Sequence, residues 1–306
     1  MELAFSMPHL MEVRAITTPW EREVTGSQMM EFAKLAEKLG YAMIAVPEHF
    51  VIPRGHVDLS GAFHIAAYPS MAFFAGGTEN IRVNSCIAIL PVQNPIITAK
   101  TLSTMDWLTS GRVTVTFASG WLKGEYEALG LDYHQRGAMA EEYTQAIIEL
   151  WTKENPEFDG KYVKFRDVAF EPKCFQKPHL NIWFGGDDER VLKRISRYAS
   201  GWWPFLTKPE DIPDRIDFIK SQPDYNGQLK EVFFGFSTTR LGEGHVPIDD
   251  PKARPGQTKQ EIIDRLCWFN ELGITMSSVP IPAVKHAEEY RDYAHWVAEE
   301  IMPAVK

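Results

Sequence analysis

Glu48 and His49 are adjacent and follow Ala42-Met43-Ile44-Ala45-Val46, an apolar run preceded by a helix-like segment ending Leu39-Gly40-Tyr41. A carboxylate beside an imidazole is suited to acid–base work near neutral pH. An apolar run of this kind reads as a buried parallel strand. In a (β/α)8 barrel the residues just past a strand's C-terminal end line the active face. The position therefore predicts a catalytic role for His49, with Glu48 assisting or orienting it. The competing reading is a histidine hydrogen-bonded at a strand end.

Three further groups invite chemistry. Gly185-Gly186 follows Asn181-Ile182-Trp183-Phe184 and precedes a helix starting near Asp188. Free backbone N–H groups at such a helix start would suit a phosphate, whereas a tight turn would need the glycines for its geometry alone. Ser119 in Phe117-Ala118-Ser119-Gly120-Trp121 resembles a nucleophile elbow but lacks its first glycine, and reads as a strand-end turn. His9, His49, His56 and His64 show neither the i, i+4 pairing nor the carboxylate spacing of a metal site, so no metal is expected.

These residues need elements to hold them. Strand-like runs fall near Leu3–Ser6, Ala42–Val46, Ile81–Ile89, Val113–Phe117, Asn181–Phe184, Gly201–Trp203, Val232–Phe236 and Ile274–Val279. Apolar spacing at three and four residues predicts helices over Gln28–Leu39, Pro95–Leu108, Gly137–Trp151, Glu189–Tyr198, Pro209–Lys220, Lys259–Leu272 and Glu288–Met302. Thr25 or Ser27 can cap the first helix, Asn94-Pro95 is a cap followed by proline, and Leu39-Gly40 and Leu272-Gly273 stop helices before apolar strands. Strands alternating with helices predict a parallel sheet closed into a single-domain α/β TIM barrel spanning 1–306. Asn155–Lys177 and Leu241–Gly256 break the rhythm. The second, rich in Gly, Pro and Asp, follows the seventh strand and is expected to cover the active face or to be a plain loop.

Composition excludes several classes. The formal charge of −9 and the absence of a basic stripe argue against nucleic acid as a partner. No apolar stretch reaches membrane-spanning length, and the N-terminus enters a strand-like run without a charged leader. Cys86, Cys174 and Cys267 are far apart and odd in number, which fits a reducing cytoplasm. No Gly-x-Gly-x-x-Gly follows the first strand and there is no P-loop, which weakens a Rossmann or nucleotide-hydrolase reading.

A longer string of residues carries a resemblance. Ile81–Pro91 continues through Asn94-Pro95 and Ala99–Asp106 to Ser110-Gly111-Arg112-Val113, Gly120-Trp121-Leu122, Glu125, Ala128-Leu129-Gly130 and Arg136-Gly137. Phe170-Glu171-Pro172-Lys173, Pro178, Ile182–Gly186 and Tyr198–Trp202 follow. From about residue 30 to about 205 this order resembles the bacterial-luciferase-like superfamily of flavin-dependent oxidoreductases. Within it, the nearest likeness is to the branch described as deazaflavin (coenzyme F-420) dependent.

The resemblance implies a (β/α)8 barrel holding a flavin at its C-terminal face. It implies His49 as acid–base with Glu48 beside it, and a non-proline cis peptide at Cys86–Ile87 beneath the flavin ring. It further implies a flavin phosphate at Gly185-Gly186, and cofactor contacts from Ser85, Cys86, Ile87, Asn94, Ser119, Gly120, Gly185 and Gly186. Ser200-Gly201 stands where relatives often have Asp-Gly, and Gly55–Tyr68 has no clear counterpart.

The activity so implied is a monooxygenase that takes reduced FMN from a separate flavin reductase and reacts it with oxygen on a small apolar or carbonyl substrate. The sister reading is hydride transfer with the deazaflavin, His49 taking an alcohol proton. A non-catalytic flavin-binding barrel is the third, and the acid–base pair argues against it. A homodimer is implied by the resemblance together with an apolar, aromatic-rich inventory, not by any readable interface.

Overall fold

The computed structural model describes residues 1–13, 17–236, 258–280 and 284–305. The expected cover over 241–256 lies outside them. In chain order the strands are β1 (Glu2–Phe5), β2 (Met43–Val46), β3 (Arg82–Ile89), β4 (Val113–Ala118), β5 (Phe158–Asp159), β6 (Lys164–Phe165), β7 (Asn181–Gly185), β8 (Gly201–Trp203), β9 (Glu231–Phe234) and β10 (Met276–Ser277). Omitting the small antiparallel hairpin β5–β6, the other eight are parallel and close into a barrel in the order β1-β10-β9-β8-β7-β4-β3-β2. Such strands are buried on both faces, which is why β4 (Val-Thr-Val-Thr-Phe-Ala) is buried at every position.

The helices are α1 (Gly26–Leu39), α2 (Val57–Ser60), α3 (Ala67–Gly76), α4 (Pro95–Leu108), α5 (Lys123–Ala128), α6 (Arg136–Thr152), α7 (Glu189–Tyr198), α8 (Ile212–Lys220), α9 (Lys259–Glu271) and α10 (Ala287–Trp296). Their starts follow the sequence. The Thr25 hydroxyl accepts from the Gln28 N–H while the Gln28 side chain accepts from Thr25, and Asn94 Oδ1 accepts from Ile96 and Ile97. Gly40 ends α1 at φ +83°, the left-handed turn that favours glycine.

The expected barrel is present, with four local corrections. The strand expected over Ile274–Val279 contracts to β10, and the helix expected over Glu288–Met302 is α-helical only to Trp296 before a π turn over Val297–Ile301. Asn155–Lys177 contains the β5–β6 hairpin. Helices α3 and α5 were not expected. The residues of α3, Ala-Tyr-Pro-Ser-Met-Ala-Phe-Phe-Ala-Gly, are apolar on every side and leave no period to read, and α5 is too short to show one.

Most of the core lies between the barrel and its helices, while Ala4, Met43, Trp183, Phe233 and Met276 fill the barrel itself. Gly201 is required there: a Cβ at that position would lie 2.3 Å from the Trp183 indole. The opposite end from the candidate site is closed by Arg82, the first residue of β3, whose guanidinium reaches Glu2 on β1 at 2.8 Å and Glu231 on β9 at 2.8 Å. Arg82→Ala strands Glu231, so urea unfolding should show a loss of about 1–3 kcal/mol. An unchanged midpoint would make this cluster ornamental.

Candidate active site

The C-terminal ends of the strands form an open mouth. Ala45, Cys86, Ile87, Ser119, Gly120, Gly186 and Trp203 are all partly exposed there although they belong to, or directly follow, barrel strands. The Cys86–Ile87 peptide is cis, as the resemblance implied. The β3–β4 register shifts between Cys86 and Ala88, leaving Ile87 without a partner residue on β4. Burial pushes the Cys86 thiol up to about 12, so it is not a thiolate nucleophile near neutrality.

His49 is fixed from one side. Its Nδ1 lies 3.0 Å from Glu125 Oε2, and Glu125 on α5 is 1% exposed. The carboxylate accepts, so Nδ1 carries the proton on the side facing α5. The second oxygen, Oε1, accepts from the backbone N–H groups of Phe50 (2.6 Å) and Val51 (3.3 Å), which ties the turn after β2 to α5. Glu125 stood in the motif string without an assigned role. Only the fold shows that its carboxylate meets the imidazole 76 residues away.

Glu48 points elsewhere. It is buried, and its Oε2 accepts from the Ile89 N–H at 2.9 Å and from Gln93 Nε2 at 2.8 Å. Burial raises its carboxyl to about 7, with the charge of Glu125 adding to the effect. Glu48 therefore braces β2 against the end of β3.

A wall of rings flanks His49. His64 meets it edge-to-face at 5.0 Å between centroids, Trp121 at 6.0 Å, and His56 meets Trp121 at 5.9 Å. The stretch Gly55–Tyr68, for which the resemblance offered no clear counterpart, supplies two of these rings. Among the described residues no group of three His, Cys, Asp or Glu side chains could hold a metal.

The remaining expected contacts divide. Gly120 (φ +68°) and Ser119 border the mouth, with the Ser119 carbonyl accepting from the Tyr126 hydroxyl at 2.5 Å. Gly185 packs against the cis peptide: a Cβ there would lie 2.9 Å from Ile87 Cγ2. Ser85 is fully buried and turned away, its hydroxyl donating to the Thr116 carbonyl (3.2 Å) and accepting from the Thr116 N–H (3.0 Å). Asn94 spends its side-chain oxygen on the start of α4.

The anion site expected after Gly185-Gly186 is also changed. The amides of Arg190 and Val191 at the start of α7 are taken by the Asp188 carboxylate, at 2.9 and 3.0 Å. Asp187 next to it accepts from the N–H groups of Phe205, Leu206 and Thr207. The amides were not free, and two carboxylates oppose a phosphate there.

A parallel eight-stranded barrel with an imidazole–carboxylate pair at its C-terminal mouth defines an enzyme-like α/β class, and the comparison with known families narrows it. The model of the luciferase-like monooxygenases matches residues 7–233, and the chain belongs to that family. Among curated relatives, an FMNH2-dependent dimethylsulfone monooxygenase of Pseudomonas putida is 31% identical over 206 residues, 66% of this chain and 55% of the relative. The chain thus spans about half the length of that enzyme. Among solved structures, a monooxygenase from Streptomyces bottropensis superposes with TM-score 0.76 at 18% identity over 100% of both chains. A coenzyme F-420-dependent secondary alcohol dehydrogenase does so with TM-score 0.73 at 18% identity, again over 100% of both. These structural likenesses speak for the fold.

Proposed function

We propose that the protein is a flavin-dependent monooxygenase that binds reduced FMN, supplied by a separate flavin reductase, and oxygenates a small apolar or carbonyl substrate. The observation that carries this is the His49–Glu125 pair beside the uncharged, partly exposed floor of the barrel mouth. The similarity to FMNH2-dependent monooxygenases selects FMN over the deazaflavin.

The mouth fits the ring end of a flavin. Its partly exposed floor is made of small or uncharged residues, among them Ala45, Cys86, Ile87 and Gly120, which suits a planar neutral ring. Cys86–Ile87, Ser119–Gly120 and Gly185–Gly186 are the residues that would hold it. The phosphate end does not fit the start of α7, so no phosphate contact is assigned to it. The bound reduced flavin would supply the electrons that activate dioxygen. His49 Nε2 would hold or deliver the proton, Glu125 would keep the imidazole oriented, and the apolar wall around Trp121 would exclude water.

Anaerobic titration with reduced FMN and with the reduced deazaflavin, followed by flavin fluorescence, tests the cofactor. Tight binding of FMN with at least tenfold weaker deazaflavin binding is expected. The reverse order would favour hydride transfer.

The cytoplasm is the compartment that its three unpaired cysteines fit. A homodimer through the outer faces of α3 and α4 completes the proposal. Ile97, Trp107 and Leu108 on α4 are 66%, 58% and 69% exposed, Phe73 on α3 is 47% exposed, and Lys100 is the only ionisable residue at an exposed position of α4. An apolar patch with so little charge can be self-complementary across a two-fold axis. Sedimentation should give a dimer at micromolar concentration and a monomer for Trp107→Glu with Leu108→Glu. A monomeric wild type would contradict it.

A further inference from the structure

The segment between β2 and α3 is docked firmly on both sides. A Cβ on Gly124 of α5 would lie 2.6 Å from Pro53 Cγ, and a Cβ on Gly61 (φ +70°) would lie 1.7 Å from the Glu12 carbonyl oxygen. Backbone hydrogen bonds from Glu12 N–H to Phe63 O (3.0 Å) and from Ile65 N–H to Leu10 O (3.2 Å) tie it to the chain after β1. Its two histidines therefore stand at fixed positions beside His49 and Trp121.

The state of His64 follows from its partners. Nε2 lies 3.0 Å from the Ser60 carbonyl, which can only accept, so Nε2 carries the proton. Burial, and after it the nearby His49, lower the pKa of the ring and keep it neutral. Nδ1 is then a bare lone pair. It is buried and has no hydrogen-bond partner, and the same holds for Nδ1 of His56. Buried acceptors are rarely left unpaired, and a well-docked wall that leaves the His64 Nδ1 lone pair beside the His49 imidazole calls for a ligand group.

We propose that His64 determines substrate specificity, its Nδ1 accepting a hydrogen bond from an N–H or O–H on the substrate held against His49. The proposal deepens the monooxygenase reading and rests on it. It narrows the substrate class to small carbonyl compounds that carry a donor, such as primary amides and lactams, over sulfones and ketones, which only accept. A site built around a hydrogen bond discriminates strongly against the analogue that lacks the donor, because the buried partner is then left unpaired.

Propionamide and butanone differ only in an NH2 for a CH3 and make the test. Each is titrated into the flavin-free protein while the ¹⁵N resonance of His64 Nδ1 is followed. Propionamide should shift that resonance and bind about tenfold tighter than butanone, the equivalent of one hydrogen bond. In His64→Leu the two should bind within about twofold of each other. Equal affinities in the wild type, a preference that survives in His64→Leu, or a nitrogen moved by neither compound would overturn the proposal. The last outcome would leave His64 as packing around an internal water. Because no flavin is present, loss of FMN binding would sink the monooxygenase reading without touching this result.

Discussion

His49→Asn should lower turnover by about 10²–10⁴-fold, the usual worth of a general acid–base group. Asparagine keeps an N–H that can reach Glu125 Oε2, so the carboxylate retains a partner and the turn through Phe50 and Val51 stays tied to α5. What is lost is Nε2, the ring nitrogen that would take up and return a proton. Reduced-FMN affinity and the melting temperature should therefore remain close to wild type, and the loss should fall on kcat. Glu125→Gln should give a smaller loss of the same kind: it preserves the acceptor for the two backbone amides but no longer fixes the imidazole through a charged partner. Near-normal turnover in both variants would reduce the pair to a structural brace.

Glu48→Gln should change the pH dependence of stability. Burial raises the Glu48 carboxyl from its ordinary 4.5 to about 7. A carboxyl raised on folding favours the folded state fully below 4.5, and that contribution is lost as pH rises through about 7. The size is on the order of 3 kcal/mol. Glutamine keeps an acceptor for the Ile89 and Gln93 N–H groups and cannot ionise. Urea unfolding at pH 5 and pH 8 should show the wild type losing stability relative to the variant at the higher pH. Parallel behaviour of the two proteins would mean that Glu48 is not raised on folding.

The barrel was legible because its signals are local. Glycine-stopped helices such as Leu39-Gly40 feed apolar strands, and Asn94-Pro95 marks a helix start whatever surrounds it. His49 was legible for the same reason, since its distance from a strand end fixes the face it lies on. Glu125 was not, because a carboxylate on a six-residue helix acquires meaning only when the barrel sets β2 and β4 on either side of β3. The start of α7 was misread for a further reason: Asp188 carries the signature of a helix cap, and the cap consumes the amides that a phosphate would need. Helix α3 hid behind its uniform apolarity: Phe73 is exposed and Phe74 buried, so residue type does not mark the inner face.

The mouth of this barrel should bind reduced flavin and govern its reaction with oxygen through His49. Reduced FMN bound anaerobically to the protein and then mixed with oxygenated buffer tests it most directly, with the rate of flavin reoxidation followed across pH 6–9. The wild type should bind the reduced flavin and reoxidise it at a rate different from free flavin. His49→Asn should bind it equally well and lose the pH-dependent part of that rate. Failure of the wild type to bind reduced FMN, or reoxidation identical in wild type, variant and free solution, would contradict it.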